Sequence, residues 1–212
     1  MLIFFTKNTY NSNMYSLFLH VHIKRNYKMF TATIQKQWLI LLILSSITLL
    51  YNIWLLPYVD VSTVSENITS LDLLSSYSLN DINKLFNAIG IEGMLQYKYF
   101  LIIDTTYILF YTSLLFFLLG FLLNKAGRLG IKVHYLIWFP LLVGCLDLIE
   151  NVNILILLNR FPDISEIYAN FSSIITSAKW YSVSVLAGII ICLTFYMILR
   201  TLFWKLKNNI IN

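Results

Sequence analysis

The chain has 212 residues, 58% of them hydrophobic and 16% aromatic but only 12% charged, a balance that excludes an ordinary soluble domain. Its formal net charge of +5 would admit a nucleic-acid partner. The bases, however, sit in short segments between and beside apolar runs, the pattern of topology signals and not of a binding face. The composition therefore predicts an all-α integral membrane protein: a four-helix bundle with the lipid bilayer as partner, no nucleic acid and no cofactor.

Residues 1–37 form an N-terminal arm with a short apolar start, an Asn-rich stretch and a basic cluster of His20, His22, Lys24, Arg25 and Lys28. The start lacks the length and small-residue cleavage site of a signal peptide. Met14 and Met29 are internal alternatives as starts, so the arm reads equally as an over-extended start or as a cytoplasmic segment. The first span covers about 38–56, free of charge and closed by Pro57; it is long enough to cross a core of about 30 Å.

Residues 57–98 are the one long connection, with five acids (Asp60, Glu66, Asp72, Asp81, Glu92) against Lys84 and Lys98. Asn80 or Asp81 can cap a short helix whose Ile82, Leu85, Phe86 and Ile89 share a face, and Gly90 stops it. Ile68, Leu71, Leu74 and Tyr77 form a second apolar set upstream. Both read as amphipathic helices on the outer face of the bundle. The second span covers about 99–123 and contains Asp104, Tyr107 and Tyr111; the loop after it carries Lys125, Arg128 and Lys132 and no acid. The third covers about 135–158. Asp163 and Glu166 then match a capping-box-like helix start, the fourth span covers about 180–199 behind Lys179, and 205–212 is a basic tail. Segments 38–204 thus form one membrane domain. Alternation of basic and acidic connections puts both termini in the cytoplasm of a multi-pass inner-membrane protein.

The third span carries the unusual residues. Asp147, Glu150 and Asn151 fall at i, i+3 and i+4 and share a helix face midway along an apolar segment. An ionised group at that depth costs about 2.5–3.5 kcal/mol even on insertion scales, so it takes a partner or faces a wet cavity. At about 1.5 Å per residue, Asp147 and Glu150 lie roughly 18 and 22 Å in from one side, and Asp104 about 8 Å in from the other. Lys179 sits at the same outer boundary. The depths converge on one candidate site: Asp104, Asp147, Glu150, Asn151, Lys179, Tyr107 and Tyr111. Lys179 is its counter-ion, Thr176 offers a hydrogen bond, and either protonation, a bound cation or Arg160 offsets the remaining acids.

The usual chemistries find no match. His20, His22 and His134 all lie at span edges, so no zinc or di-iron set forms and the metal expectation is none. Cys145 and Cys192 lie in separate apolar runs without a CxxC pattern and read as small packing residues. No Ser-His-Asp set or phosphate loop appears. Aromatic residues near span ends, Tyr97 and Trp180 among them, read as interface anchors, and Asn67-Ile68-Thr69 and Asn170-Phe171-Ser172 as glycosylation sequons. Three readings follow. The cluster binds a proton, cation or small polar molecule; it is a carboxylate acid/base site acting on a lipid or isoprenoid; or it locks helix register in a structural accessory subunit.

Ile89-Gly90-Ile91-Glu92-Gly93 with Tyr97, Asp104-Thr105-Thr106-Tyr107 with Tyr111, Leu146-Asp147-Leu148-Ile149-Glu150-Asn151, Phe161-Pro162 and Lys179 together resemble a family of small four-span bacterial membrane proteins with an Asp-x-x-Glu-Asn core motif. The likeness covers roughly residues 85–180. It implies a bacterial inner membrane and no particular activity. Where that pattern has an arginine after its second glycine, this chain has Met94, which removes one cation that would offset the acids.

Overall fold

The computed structural model describes residues 38–59, 69–126 and 131–211, with side chains described over 39–57, 69–126 and 135–203. The readings of the N-terminal arm, of Asp60, Glu66, Asn67, Ile68, Arg128, Lys132 and His134, and of the basic tail's side chains lie outside these. Chain contacts divide the protein after Trp38, and the unit described is 39–212.

Every regular element among the described residues is helical. In order they are α1 (Trp38–Leu50), a π turn (Tyr51–Leu55), α2 (Leu56–Val59), a 3-10 turn (Leu71–Leu73), α3 (Leu79–Ala126), a 3-10 segment (Ile131–Trp138), α4 (Phe139–Arg160) and α5 (Glu166–Ile211). Three helices, Leu79–Ala126, Tyr135–Arg160 and Glu166–Phe203, are long and apolar enough to cross a membrane, and Leu39–Leu55 is a shorter apolar helix. α3, α4 and α5 pack pairwise. Asp147 meets Tyr111 while Asn151 meets Asp104, and Asn153 meets Tyr168 while Glu150 meets Lys179, so α4 runs antiparallel to both neighbours.

Several boundaries depart from expectation for local reasons. Pro57 does not close the first helix; helical turns continue to Val59. Proline denies a hydrogen bond to the carbonyl four residues back, and the wider π turn just before it absorbs the loss, with Leu56 N–H bonded to the Tyr51 carbonyl. Gly90 does not stop a helix but kinks one. Its φ of 62° and ψ of −169° break the helical path for a single residue before α3 resumes, a conformation essentially confined to glycine. The cap of α3 is Ser78, with Asp81 as its reciprocal partner: Ser78 N–H and Oγ donate to Asp81 Oδ2 at 2.9 and 2.7 Å, and Asp81 N–H donates back to Ser78 Oγ at 3.3 Å. α5 begins fourteen residues before the expected fourth span, at Glu166, capped by Ser165, whose Oγ accepts from Tyr168 N–H at 3.3 Å, in place of the Asp163/Glu166 pair.

The upstream apolar set is a 3-10 turn and extended chain, not an amphipathic helix. Leu71 and Tyr77 point inward and join Ile82, Leu85, Phe86 and Ile89 against Tyr97, Phe100, Ile154, Leu157 and Ala169. This is a packed cover seated on one end of α3, α4 and α5. Tyr77 stitches it to α5, its N–H to Ser173 Oγ at 2.9 Å and its hydroxyl against Ser172 Oγ at 2.7 Å. Asn170 therefore belongs to a helix whose Ser172 is buried, unlike the loop setting of a sequon. Away from the cover the helices turn apolar side chains outward, as at Leu109, Leu142, Val185, Ile191 and Phe195. Cys145 and Cys192 are also exposed on that surface and do not pack in the core. At the far end, Arg200 donates to the Lys125 and Ala126 carbonyls at 3.3 and 3.2 Å, satisfying the open end of α3 with a cation of matching sign.

Candidate functional site

Below the cover, one polar layer crosses all the helices. α4 supplies Asp147, Glu150 and Asn151 from adjacent turns, as the i, i+3, i+4 spacing requires. α5 brings Lys179 across: its Nζ donates to Glu150 Oε2, lies 3.4 Å from Asp147 Oδ1, and donates to the Asp72 carbonyl of the cover at 3.1 Å. The ammonium thus has two hydrogen-bond acceptors, Glu150 and the Asp72 carbonyl, and Asp147 beside it as a second ion-pair partner. Glu150 is 0% exposed and Lys179 7%. A pair so fully withdrawn from water holds because each charge has the other, and Lys179 has the Asp72 carbonyl besides, while Glu150 Oε1 is buried without a hydrogen-bond partner.

α3 supplies the other side. Tyr111 Oη donates to Asp147 Oδ2 at 2.5 Å, and Asp104 Oδ2 accepts from Asn151 Nδ2 at 2.8 Å. Tyr107 takes a different partner, accepting from Asn52 Nδ2 at 2.7 Å, beside Tyr51 Oη at 3.0 Å from Thr106 Oγ1. The rings of Tyr51, Tyr107 and Tyr111 follow one another at centroid distances of 5.8 and 5.2 Å. All seven expected residues therefore stand in one layer, but they divide. Lys179, Glu150, Asp147 and Tyr111 are directly linked. Asp104 with Asn151 is a separate hydrogen-bonded pair, and Tyr107 belongs with Asn52. Helix approach here is close: a Cβ at Gly144 would run into the Thr112 side chain, the small-residue packing that brings apolar helices together.

One counter-ion expectation needs correction. Arg160 lies over the Tyr168 ring, 5.3 Å from its centroid, and takes no part. Thr176 stands beside Glu150 as a hydrogen-bonding neighbour, as expected, and also donates to Tyr77 Oη of the cover at 3.3 Å. Tyr97 is not an interface anchor but is 0% exposed: its hydroxyl accepts from Leu71 N–H at 2.9 Å and donates to Asp72 Oδ1 at 2.8 Å. Trp180 is half-buried, with Lys179 Nζ 5.3 Å from its ring centroid. Sequence reasoning missed the part played by Asp72, counted only among the acids of the long connection, and by Asn52, which lies inside the first apolar run. Only the folding back of 69–78 and the register of the π turn against α3 bring them here. Burial raises the Asp72 carboxyl above its ordinary pKa of 3.8, against the lowering effect of the Tyr97 hydrogen bond and Lys179. Burial likewise raises the Tyr77 hydroxyl.

One side of the layer opens into a cavity of about 510 Å³ between α3, α4 and α5. Asp147, Lys179, Tyr107, Tyr111 and Trp180 line its head; Leu115, Leu118, Val143, Val183, Leu186, Ala187, Ile190 and Ile191 line the rest. Glu150 and Asp104 are not among its lining residues. Among the described residues no three His, Cys, Asp or Glu side chains converge as metal ligands. No protein-family model, curated protein or solved structure matches the chain.

Proposed function

We propose that this chain is a multi-pass membrane protein that binds a polar group at Asp147, beside Lys179 and Tyr111, with Glu150 as the buried lock that holds Lys179 in place. The observation that carries this reading is the asymmetry of the two carboxylates. Asp147 lines a cavity of a size typical for small-ligand sites, whereas Glu150 is sealed behind it. A cluster serving helix register alone has no need to leave one member of its ion pair on a cavity wall.

The membrane setting rests on the three long apolar helices and on outward-facing apolar side chains whose extent suits lipid more than water. The charge pattern supports a four-span arrangement in a bacterial inner membrane, with the cover outside and both termini cytoplasmic. The meeting of Arg200 with the end of α3 agrees with a basic cytoplasmic end. The likeness over residues 85–180 points the same way.

The test compares the thermal stability of purified wild type, Asp147→Asn and Glu150→Gln from about pH 5 to 8. Glu150→Gln loses stability, about 1–3 kcal/mol at neutral pH, because a buried ammonium gives up its closest charged partner. Asp147→Asn is unchanged or stabilised, since binding groups are commonly held at some cost to stability. An Asp147→Asn loss as large as that of Glu150→Gln would make the whole cluster a structural lock.

A further inference from the structure

The shape of the cavity narrows the ligand class, and the argument rests on the binding reading above. Its walls run from Tyr107 to Leu118 on α3 and from Trp180 to Ile191 on α5. Eleven residues at about 1.5 Å each give roughly 16 Å, about half the thickness of a bilayer hydrocarbon core. Every lining residue beyond the head is aliphatic, so the walls suit a hydrocarbon tail better than a wholly polar ligand or a hydrated ion. A volume of about 510 Å³ suits one extended chain and not a two-chain phospholipid.

The head selects the polar group. Three carboxylates, Asp104, Asp147 and Glu150, stand in the layer with one ammonium, and that ammonium is already paired with two of them. An anionic headgroup would meet excess like charge there. What the head offers is the Asp147 carboxylate as acceptor and the Tyr107 hydroxyl, which receives from Asn52 and so keeps its own proton to give. A hydroxyl uses both, donating to Asp147 and accepting from Tyr107. An ammonium uses only the first.

We infer that the cavity between α3, α4 and α5 holds a single-chain long alcohol, its hydroxyl at Asp147 and Tyr107 and its tail along Leu115, Leu118, Ala187 and Ile190. A linear fatty alcohol and a branched isoprenoid alcohol share this chemistry.

The experiment uses the full chain in diacyl-phosphatidylcholine nanodiscs, free of sugar-headed detergent, and counts ligands retained per protein by native mass spectrometry. Dodecan-1-ol, farnesol, dodecanoic acid and dodecylamine are offered in separate arms. The expected result is one retained alcohol and no retained acid, with the preference between dodecanol and farnesol deciding the natural source. Ala187→Phe, which places a ring in the tail channel away from the polar layer, lowers retention by at least about tenfold. Its unchanged melting temperature shows that the fold survives. Retention of the acid as well as the alcohol, or full retention by Ala187→Phe, overturns the inference. If only the amine is retained, and Asp147→Asn abolishes it, the alcohol is wrong while the site at Asp147 stands. If nothing is retained and Asp147→Asn is strongly destabilised, both fall.

Discussion

Removing Lys179 is the sharpest perturbation the structure offers. The residue is 7% exposed and its ammonium meets Glu150, Asp147 and the Asp72 carbonyl. Lys179→Met keeps the aliphatic stem and deletes the charge, leaving Glu150, at 0% exposure, without its cation. Breaking a buried pair from one side costs about 3–5 kcal/mol. For a chain of this size each kcal/mol moves Tm by roughly 2–4 °C, so the expected drop is about 6–20 °C. Glu150→Gln in the same background removes the orphaned carboxylate, and the double variant recovers most of the loss. The coupling energy of the cycle is then at least about 2 kcal/mol. The assay is thermal unfolding of all four proteins in one lipid composition, followed by circular dichroism. Additive losses, within about 0.5 kcal/mol, would show that the two side chains do not depend on each other, and the proposed lock would be wrong.

Gly90 and Gly188 give a matched pair. No heavy atom lies within 4 Å of a Cβ built at either, but Gly90 has φ +62°, so Gly90→Ala meets pure backbone strain of about 1–3 kcal/mol. Gly188→Ala, inside α5, is neutral or stabilising by up to about 1 kcal/mol; equal effects in the melting curves would remove the strain at the kink. For Asp72 the sign follows from its direction of shift. Its folded pKa is raised by burial, so its ionisation opposes folding, and the stability it contributes at low pH is lost as pH rises through the folded value. Asp72→Asn, which keeps an acceptor for Tyr97, should therefore match or exceed wild type at pH 7. The gap should close on acidification, above the ordinary carboxylate value of 3.8. A variant clearly less stable than wild type at pH 7 would show that Asp72 is held by its charge.

The helical, apolar character of the chain and the shared face of Asp147, Glu150 and Asn151 were legible in the sequence. Long apolar runs, and carboxylates at i and i+3 inside one of them, are local patterns that a fixed number of residues per turn makes readable. The pairing of Lys179 with the α4 acids was legible for the same reason: a buried charge needs a partner, and few cations were within reach. Helix ends were less legible. The Ser78–Asp81 box, the π turn before Pro57 and the kink at Gly90 are each settled by backbone geometry over a few residues, which composition does not specify.

What only the tertiary structure decided is the division of labour within the layer. Glu150 and Asp147 are one turn apart and chemically alike, yet the rotation of α4 against α3 and α5 seals one and leaves the other on a cavity wall. Tyr97 and Tyr99 are two residues apart, but the folding back of Leu71 and Asp72 buries the first while the second stays exposed. The amino-acid pattern specifies which side chains need a partner. Which of them is found by another helix, which by the cover and which by open space depends on packing between segments far apart in the chain, and no local signal carries that.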